Sequence, residues 1–569
     1  MSIARLSRDR KRQLGQYLTP ESTAAAIVKK LQISPTARVL EPSFGKGAFI
    51  FPILDSLASL LPHNKLSEWC TTHLYGCEID KKAYSEFTEA WQSRGLGDVP
   101  NGLELCDFFT WLPSAFDRTI ATDRQRYFSS SLGYFDLIIG NPPFGGSIEP
   151  VIQDELDAIF GMRDGRKIKK ETYAFFIVKS IDLLKPGGQL VFICSDTLLT
   201  IATMTGLRSW LQSNCDVHIS EVPGTFSDTN QNMLILTLTK QQVISTHITV
   251  FEKTVSLEHI EATPNLSWRI DADLAKYFTG MTIGDKMVAT SGMTIGNNKL
   301  FLRQIVDGRI EEPYEFAYTE KKITLEREIE RARLGKLSQR RISQVKKLEE
   351  RGATKKGIAW KQLETPKCIT IPHKEYCYYN KAITQIIYAR PEWVIFWRDD
   401  GDYVYTFKKT GNWYLHGVGG MKYFGREGLS WALIAHRLYA RYLPSGFILD
   451  SGAPCAFLRQ GVERDELFFI LGWALTDTCN LILKNVLNHT RNIQSKDFER
   501  LPYPVWVSPE RKRKAIIAIK DLLAKVRAGQ SFSFKSEEIR ALNRLYEWQD
   551  GQITEIVRNR KTSRQLTFF

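Results

Sequence analysis

Asp136-Leu-Ile-Ile-Gly-Asn-Pro-Pro-Phe144 carries more structural information than any other stretch of this 569-residue chain. An apolar, β-branched run that stops at two adjacent prolines predicts a buried strand whose continuation leaves the sheet, because proline has no N–H for the ladder. Beyond the strand the chain must form a rigid turn rich in carbonyl acceptors.

Such a turn suits the presentation of acceptors to a planar amine. The exocyclic amine of a nucleobase is a poor nucleophile, because its lone pair is delocalised into the ring. If the Asn141 side-chain oxygen and the Pro142 carbonyl each accept one N–H, the nitrogen is drawn toward a tetrahedral shape and its lone pair leaves the ring plane. Pro142 and Pro143 fix the backbone, so the acceptors are preorganised, and Phe144 is available to stack on the base. No strong base is required, since a methylated amine loses its proton to solvent. A plain turn is the alternative reading of these four residues.

Upstream, Gly15-Gln-Tyr-Leu-Thr-Pro20 precedes an amphipathic helix from about Glu21 to Leu31, with Thr19 expected at N-cap and Pro20 in the first turn. Arg38-Val-Leu-Glu-Pro-Ser-Phe-Gly-Lys-Gly-Ala-Phe-Ile50 reads as strand, glycine-bearing turn and helix. Its glycines allow close approach of a ligand at the carboxyl end of a first parallel strand. A second strand, Leu74–Asp80, carries Glu78, an acceptor for two ribose hydroxyls, and Ile79, an apolar surface for a purine. A third, Leu103–Phe109, carries Asp107, suited to a purine amine. Each carboxylate alone reads equally as a helix cap. Three successive strand ends, each suited to one part of an adenosyl ligand, favour the binding reading. The fourth strand is Phe135–Gly140. Strands around Leu190–Ser195, Val217–Glu221 and Met233–Thr239 complete a seven-stranded alternation, and the loop Gly224–Asn230 carries Phe226, a second candidate for stacking.

The formal charge of +14 points to a polyanionic partner, most economically nucleic acid. Nine cysteines include no Cys-x-x-Cys pair, so neither a disulfide framework nor a zinc ribbon is implied; Cys368, His373 and Cys377 lack a fourth ligand, and no metal site is expected. The N-terminus has no apolar core of a secretory signal, and no apolar run approaches the ~20 residues of a membrane span. A cytoplasmic protein without a membrane partner is expected.

In the order Gly15–Pro20, Glu41–Phe49, Glu78–Asp80, Asp107–Phe108 and Asn141–Phe144, followed by a large basic C-terminal half, the chain resembles the gamma-class adenine-N6 DNA methyltransferases of restriction-modification and related phage-defence systems. The resemblance implies an α/β, seven-stranded Rossmann-like class I domain over residues 1–245, using S-adenosyl-L-methionine (SAM). It implies a mixed α+β target-recognition domain for double-stranded DNA over 262–505 and a helical C-terminal segment over 506–569. Tyr17 and Thr19 would cover the methionine end of SAM, and Glu41, Pro42, Ser43, Gly45 and Gly47 would hold it. Glu78 would bind the ribose, Ile79 would pack on the adenine, and Asp107 with the Phe108 N–H would read its edge. Asn141, Pro142, Pro143 and Phe144 would hold a flipped-out adenine, with Phe226 opposite.

Lys321–Lys356, with 13 basic and 5 acidic residues, reads as a basic helix or helical hairpin, either a solvated surface element or a phosphate-contacting arm. Competing readings are methylation of an rRNA guanine or a protein glutamine, and a DNA-binding specificity subunit with an inactive core. Cytosine-N4 enzymes of this resemblance usually begin the turn with serine, which Asn141 disfavours. Only some fourteen residues precede the first motif and no nuclease motif is found, so any restriction endonuclease or other defence partner is expected to be a separate protein.

Overall fold

The computed structural model describes residues 19–111, 134–143, 150–169, 171–223, 232–241, 245–295, 297–326, 339–411 and 420–549. The chain divides into two compact units, 1–275 and 276–569.

In the first unit the helices are α1 (Glu21–Val28), α2 (Ile50–Ala58), α3 (His63–His73), α4 (Lys81–Ser93), α5 (Pro150–Phe160), α6 (Thr172–Leu183) and α7 (Thr205–Asn214). The strands of its main sheet are β1 (Val39–Glu41), β2 (Leu74–Glu78), β3 (Leu103–Leu105), β4 (Phe135–Gly140), β5 (Leu184–Ser195), β6 (Cys215–Glu221), β7 (Met233–Lys240), β8 (His247–Val250) and β9 (Lys253–Ser256). They run in the order β9-β8-β6-β7-β5-β4-β1-β2-β3. The seven expected strands are present, and the sheet is larger than expected: β8 pairs parallel with β6 and β9 closes the edge antiparallel.

β3, β2, β1, β4 and β5 form a parallel run in that spatial order, whereas β7 lies antiparallel between β5 and β6. β1 and β2 are buried at every position, which is why they read as unbroken apolar runs rather than alternating ones. Val39, Leu74, Leu137, Ile139, Val191 and Ile193 share one face and pack with Ala24, Ile27 and Ile53 from α1 and α2. The chain leaves β1 toward β2 on one side, while β4 lies on the other. The gap at the carboxyl ends of β1 and β4 is therefore a topological switch point, where open α/β sheets bind ligands.

The second unit contains two four-stranded sheets. One has the order β10 (Met287–Thr290), β19 (Cys455–Leu458), β16 (Gly428–Ser430), β17 (Arg441–Leu443). The other has β11 (Leu302–Gln304), β15 (Trp393–Phe396), β14 (Tyr376–Asn380), β18 (Phe447–Leu449). Within the segment expected to be a helical arm, Gln339–Glu350 is helical, while Lys321–Lys322 and Thr354–Lys356 are strand. β12 (Arg309–Lys322) and β13 (Thr354–Thr370) form a two-stranded antiparallel ribbon, and α8 (Gln339–Glu350) lies between them in sequence. The α10 (Asp465–Leu475), α11 (Pro509–Arg527) and α12 (Glu537–Tyr546) helices pack together, preceded by α9 (Asp402–Gly411). The C-terminal helices thus lie within the second unit's core: Trp506 Nε1 donates to the Tyr546 carbonyl at 2.8 Å, and both residues are buried. Among the described residues no single helix is long and apolar enough to cross a membrane.

Candidate functional site

Three strand ends and one helix start converge at the switch point. Glu41 ends β1, Glu78 ends β2, Asn141 follows β4, and Thr19 stands just before α1. A cleft of about 400 Å³ is lined there by Thr19, Glu41, Ser43, Gly45, Gly47 and Asn141, among others.

The turn after β1 needs its glycines. Gly45 and Gly47 have φ of +56° and +87°, a left-handed region costly for other residues. A Cβ on Gly47 would also lie 2.8 Å from the rings of Phe51 and Phe87. The turn is held from β2: Glu78 accepts the Gly45 N–H at 2.7 Å through Oε2 and the Asp80 N–H at 2.6 Å through Oε1. Each carboxylate oxygen has two lone pairs, so Glu78 retains acceptor capacity for hydroxyl donors.

Glu41 and Glu78 are both buried. Desolvation pushes the Glu41 carboxyl well above the usual carboxylate range; the nearby Glu78 charge adds to this and the Ile50 N–H opposes it. Glu78 is raised chiefly by burial, against the Asp80 and Gly45 N–H groups. Among the described residues Glu41 Oε2 has no hydrogen-bond partner. A buried acceptor that faces a cleft and lacks a partner there fits a ligand that brings an ammonium or N–H donor, because such a donor would satisfy the oxygen and favour its charged form. Ile79, directly after Glu78, is 58% exposed, an apolar surface left open beside a polar acceptor.

Asp107 is engaged in its own turn: Oδ1 accepts the Phe109 N–H at 2.9 Å, and its carbonyl accepts the Trp111 N–H. Phe108 is buried, with its ring 4.9 Å from that of Phe176. Lys179 of α6 braces this turn from beneath, donating to the carbonyls of Phe108 and, at 3.0 Å, of Trp111. It is fully buried, and desolvation pushes its ammonium down to about 8, with the nearby Cys77 and Asp107 opposing the shift. Its sequence signal is a lone cation in the otherwise apolar core of Thr172–Leu183.

Asn141 has an orienting partner that its motif does not reveal. Its Nδ2 donates to Thr19 Oγ1 at 3.0 Å, fixing the amide, and its backbone carbonyl accepts from Ser43 Oγ at 3.3 Å. The expected helix cap therefore needs correction. Pro20 occupies the N-cap of α1 without a side-chain cap, and the Thr19 hydroxyl serves Asn141 instead. Pro142 is buried and Pro143 partly so. Pro42 lies beside β4, its Cδ 3.6 Å from where a Cβ on Gly140 would be. Tyr17, Phe144 and Phe226 lie outside the described residues. Among the described residues no group of three or more His, Cys, Asp or Glu is arranged to hold a metal ion.

The class to which this fold and site are similar is that of restriction-modification DNA methylases. Residues 64–222 match the protein-family model described as Eco57I restriction-modification methylase. Among curated proteins, the chain is 28% identical over 215 residues to the type II methyltransferase M.HincII of Haemophilus influenzae, covering 37% of this chain and 33% of that protein. It is 27% identical over 208 residues to M.TthHB8I of Thermus thermophilus, covering 35% and 39%. The chain thus matches about a third of the length of these relatives. Among solved structures, the type IIL restriction-modification enzyme MmeI in complex with DNA matches with a TM-score of 0.53 at 11% identity, over 99% of this chain and 76% of that one. The DrdV–DNA complex matches with a TM-score of 0.50 at 13% identity, over 90% and 57%. At these identities the likeness is one of fold. The family match and the curated relatives support SAM as the cofactor.

Proposed function

We propose that the chain is a site-specific DNA methyltransferase that transfers the methyl group of SAM to the N6 amine of an adenine flipped out of double-stranded DNA. The observation that carries this reading is the coupling of Asn141 to the cleft. The first residue of the acceptor turn is oriented by Thr19 and Ser43, which also line the cleft below Glu41.

Glu41, Ser43 and the Gly45–Gly47 turn would hold the methionine end of SAM, Glu78 the ribose, and Ile79, Asp107 and Phe108 the adenine. When bound, SAM supplies an electrophilic methyl group on a sulfonium. The Asn141 side-chain oxygen and the Pro142 carbonyl accept the two N–H groups of the target amine and turn its lone pair out of the ring. The proline pair keeps these acceptors fixed, so little reorganisation accompanies the reaction. After transfer the surplus proton passes to solvent. Extruding the base costs a few kcal/mol. Stacking on Phe144 and Phe226, at ~1–3 kcal/mol per base, would offset much of it. The second unit would choose the site, and the setting would be cytoplasmic.

The test is Asn141→Ala. Nucleoside mass spectrometry of methylated DNA should show N6-methyladenine with the native chain and none with the variant, while calorimetry shows SAM still bound. Full activity in the variant would remove the acceptor turn from the mechanism. Methylated guanine in RNA, or methylated glutamine, would redirect the substrate.

A further inference from the structure

The ribbon of β12 and β13 belongs to no larger sheet. Its register runs from Arg309 opposite Thr370 to Lys322 opposite Thr354, with an irregularity between Glu312 and Tyr314. Fourteen residues on one strand make a rod about 45 Å long. Its two faces differ sharply.

One face carries the ribbon's aromatic contacts with the rest of the unit, with Tyr318 and Trp360 still 39% and 44% exposed. The Phe316 ring stacks on Phe396 with centroids 4.6 Å apart, Tyr318 on Tyr403 at 4.3 Å, and Trp360 meets Phe407 edge-on at 5.8 Å. Lys356 lies on this side, with Nζ 2.6 Å from Asp402 and 3.8 Å from the Tyr318 ring centroid. At the root, Glu312 is buried between Arg303 and the Tyr376 hydroxyl, which donates to it at 2.6 Å. The ribbon is therefore anchored along its length rather than projecting freely.

Side chains alternate along a strand, so the opposite face carries Lys321 across from Lys355, Thr319 from Gly357, Ala317 from Ala359 and Glu315 from Lys361. Ala317, Ala359 and Lys361 are exposed. A Cβ on Gly357 would sit 2.7 Å from Lys321 Cγ, so the lysine stem lies across that position. The one acidic residue among these eight, Glu315, has an ion-pair partner in Lys367 at 3.4 Å. This face is basic and low, without a bulky aromatic side chain, while every aromatic of the central ribbon points the other way.

We infer that this outward face docks on duplex DNA, with the ribbon lying in or along the major groove. The inference rests on the DNA-methyltransferase reading and deepens it by naming the surface. A two-stranded ribbon is an element the major groove admits. The low centre lets the backbone approach, and Lys321 and Lys361 reach phosphates on either side. Phosphate contacts of this kind supply affinity and register rather than base choice.

The test compares two variants of the full chain, Lys321→Gln/Lys361→Gln on the outward face and Lys356→Gln on the inward one. Fluorescence anisotropy with a random-sequence duplex is read across a salt series, with SAM binding by calorimetry as the folding control. Each lost phosphate contact lowers the slope of log K against log salt by ~0.9, so the outward pair should lower it by about 2 and Lys356→Gln should leave it unchanged. Ala359→Glu, which adds bulk and negative charge at the low centre, should weaken duplex binding at least ~10-fold with SAM binding retained. If the native chain binds duplex but the outward variants behave like Lys356→Gln, the docking face is overturned and the DNA reading stands. If the native chain binds no duplex at any salt, both fall.

Discussion

Glu78→Gln perturbs the cofactor cleft without changing its shape. In the native chain the carboxylate accepts two backbone N–H groups, at 2.7 and 2.6 Å, and in the proposed role it would accept ribose hydroxyls as well. An amide has only one acceptor oxygen, so its NH2 must face the N–H of either Gly45 or Asp80. The remaining hydrogen bonds also lose their charge assistance, which roughly halves them. With hydrogen bonds to charged groups contributing ~1.5–3 kcal/mol each, SAM affinity should fall by about 2–3 kcal/mol, or ~30- to 150-fold. The pH dependence should change too. Both Glu41 and Glu78 have raised folded-state pKa values, so the folded chain keeps protons that the unfolded chain releases, and apo stability rises as pH falls through the folded values toward the ordinary carboxylate range. SAM, which needs ionised acceptors, should instead bind more weakly as pH falls through them. In Glu78→Gln one of the two titrations disappears, and Glu41, freed of a neighbouring charge, titrates lower. Calorimetry of SAM binding from about pH 5 to 8 tests this. Native-like affinity, or an unchanged pH slope, would refute the role given to Glu78.

Lys179→Met should weaken SAM binding by leaving the Phe108 and Trp111 carbonyls without their buried donor. Its linkage has a defined sign. With a folded pKa of about 8 and an unfolded one of ~10.4, the unfolded chain holds the proton that the folded chain has lost between these values, so the Lys179 contribution makes stability rise with pH there, by up to about 3 kcal/mol. The difference between native and variant melting curves across that window should show this rise; a constant difference would contradict the buried-ammonium assignment. Thr19→Val removes the acceptor that orients the Asn141 amide. It should lower kcat by ~10- to 100-fold while leaving SAM affinity within ~3-fold, measured by single-turnover transfer and calorimetry; equal loss in both would make Thr19 a cofactor ligand rather than a positioning residue.

The parallel half of the sheet was legible because strands buried on both faces read as apolar runs, and glycine, proline and acidic residues mark their ends. Glu41, Glu78 and Asn141 fall at the ends of β1, β2 and β4 as the spacing implies. Contacts that depend on distant pairing left no such mark. Thr19 reads locally as a cap, and only the fold brings it to Asn141, 122 positions away. Between Lys321 and Lys356 the Leu and Ile punctuation among charges marks the helix that forms over Gln339–Glu350, but not that Lys321–Lys322 and Thr354–Lys356 pair as strand. That pairing is dictated by Phe316, Tyr318 and Trp360 seeking the aromatic side chains of β15 and α9. Lys179 left only a weak mark, a lone cation in the apolar run of α6, and its role under the Phe108 turn depends on burial that the run alone does not give.

The central claim is tested most directly by expressing the chain in a bacterial host lacking DNA methylation and sequencing its genome with a method that reads modified bases. N6-methyladenine at one recurrent motif, absent with Asn141→Ala, is the expected result. Methylation confined to cytosine, or unmodified DNA from a host containing folded, SAM-binding protein, would contradict it.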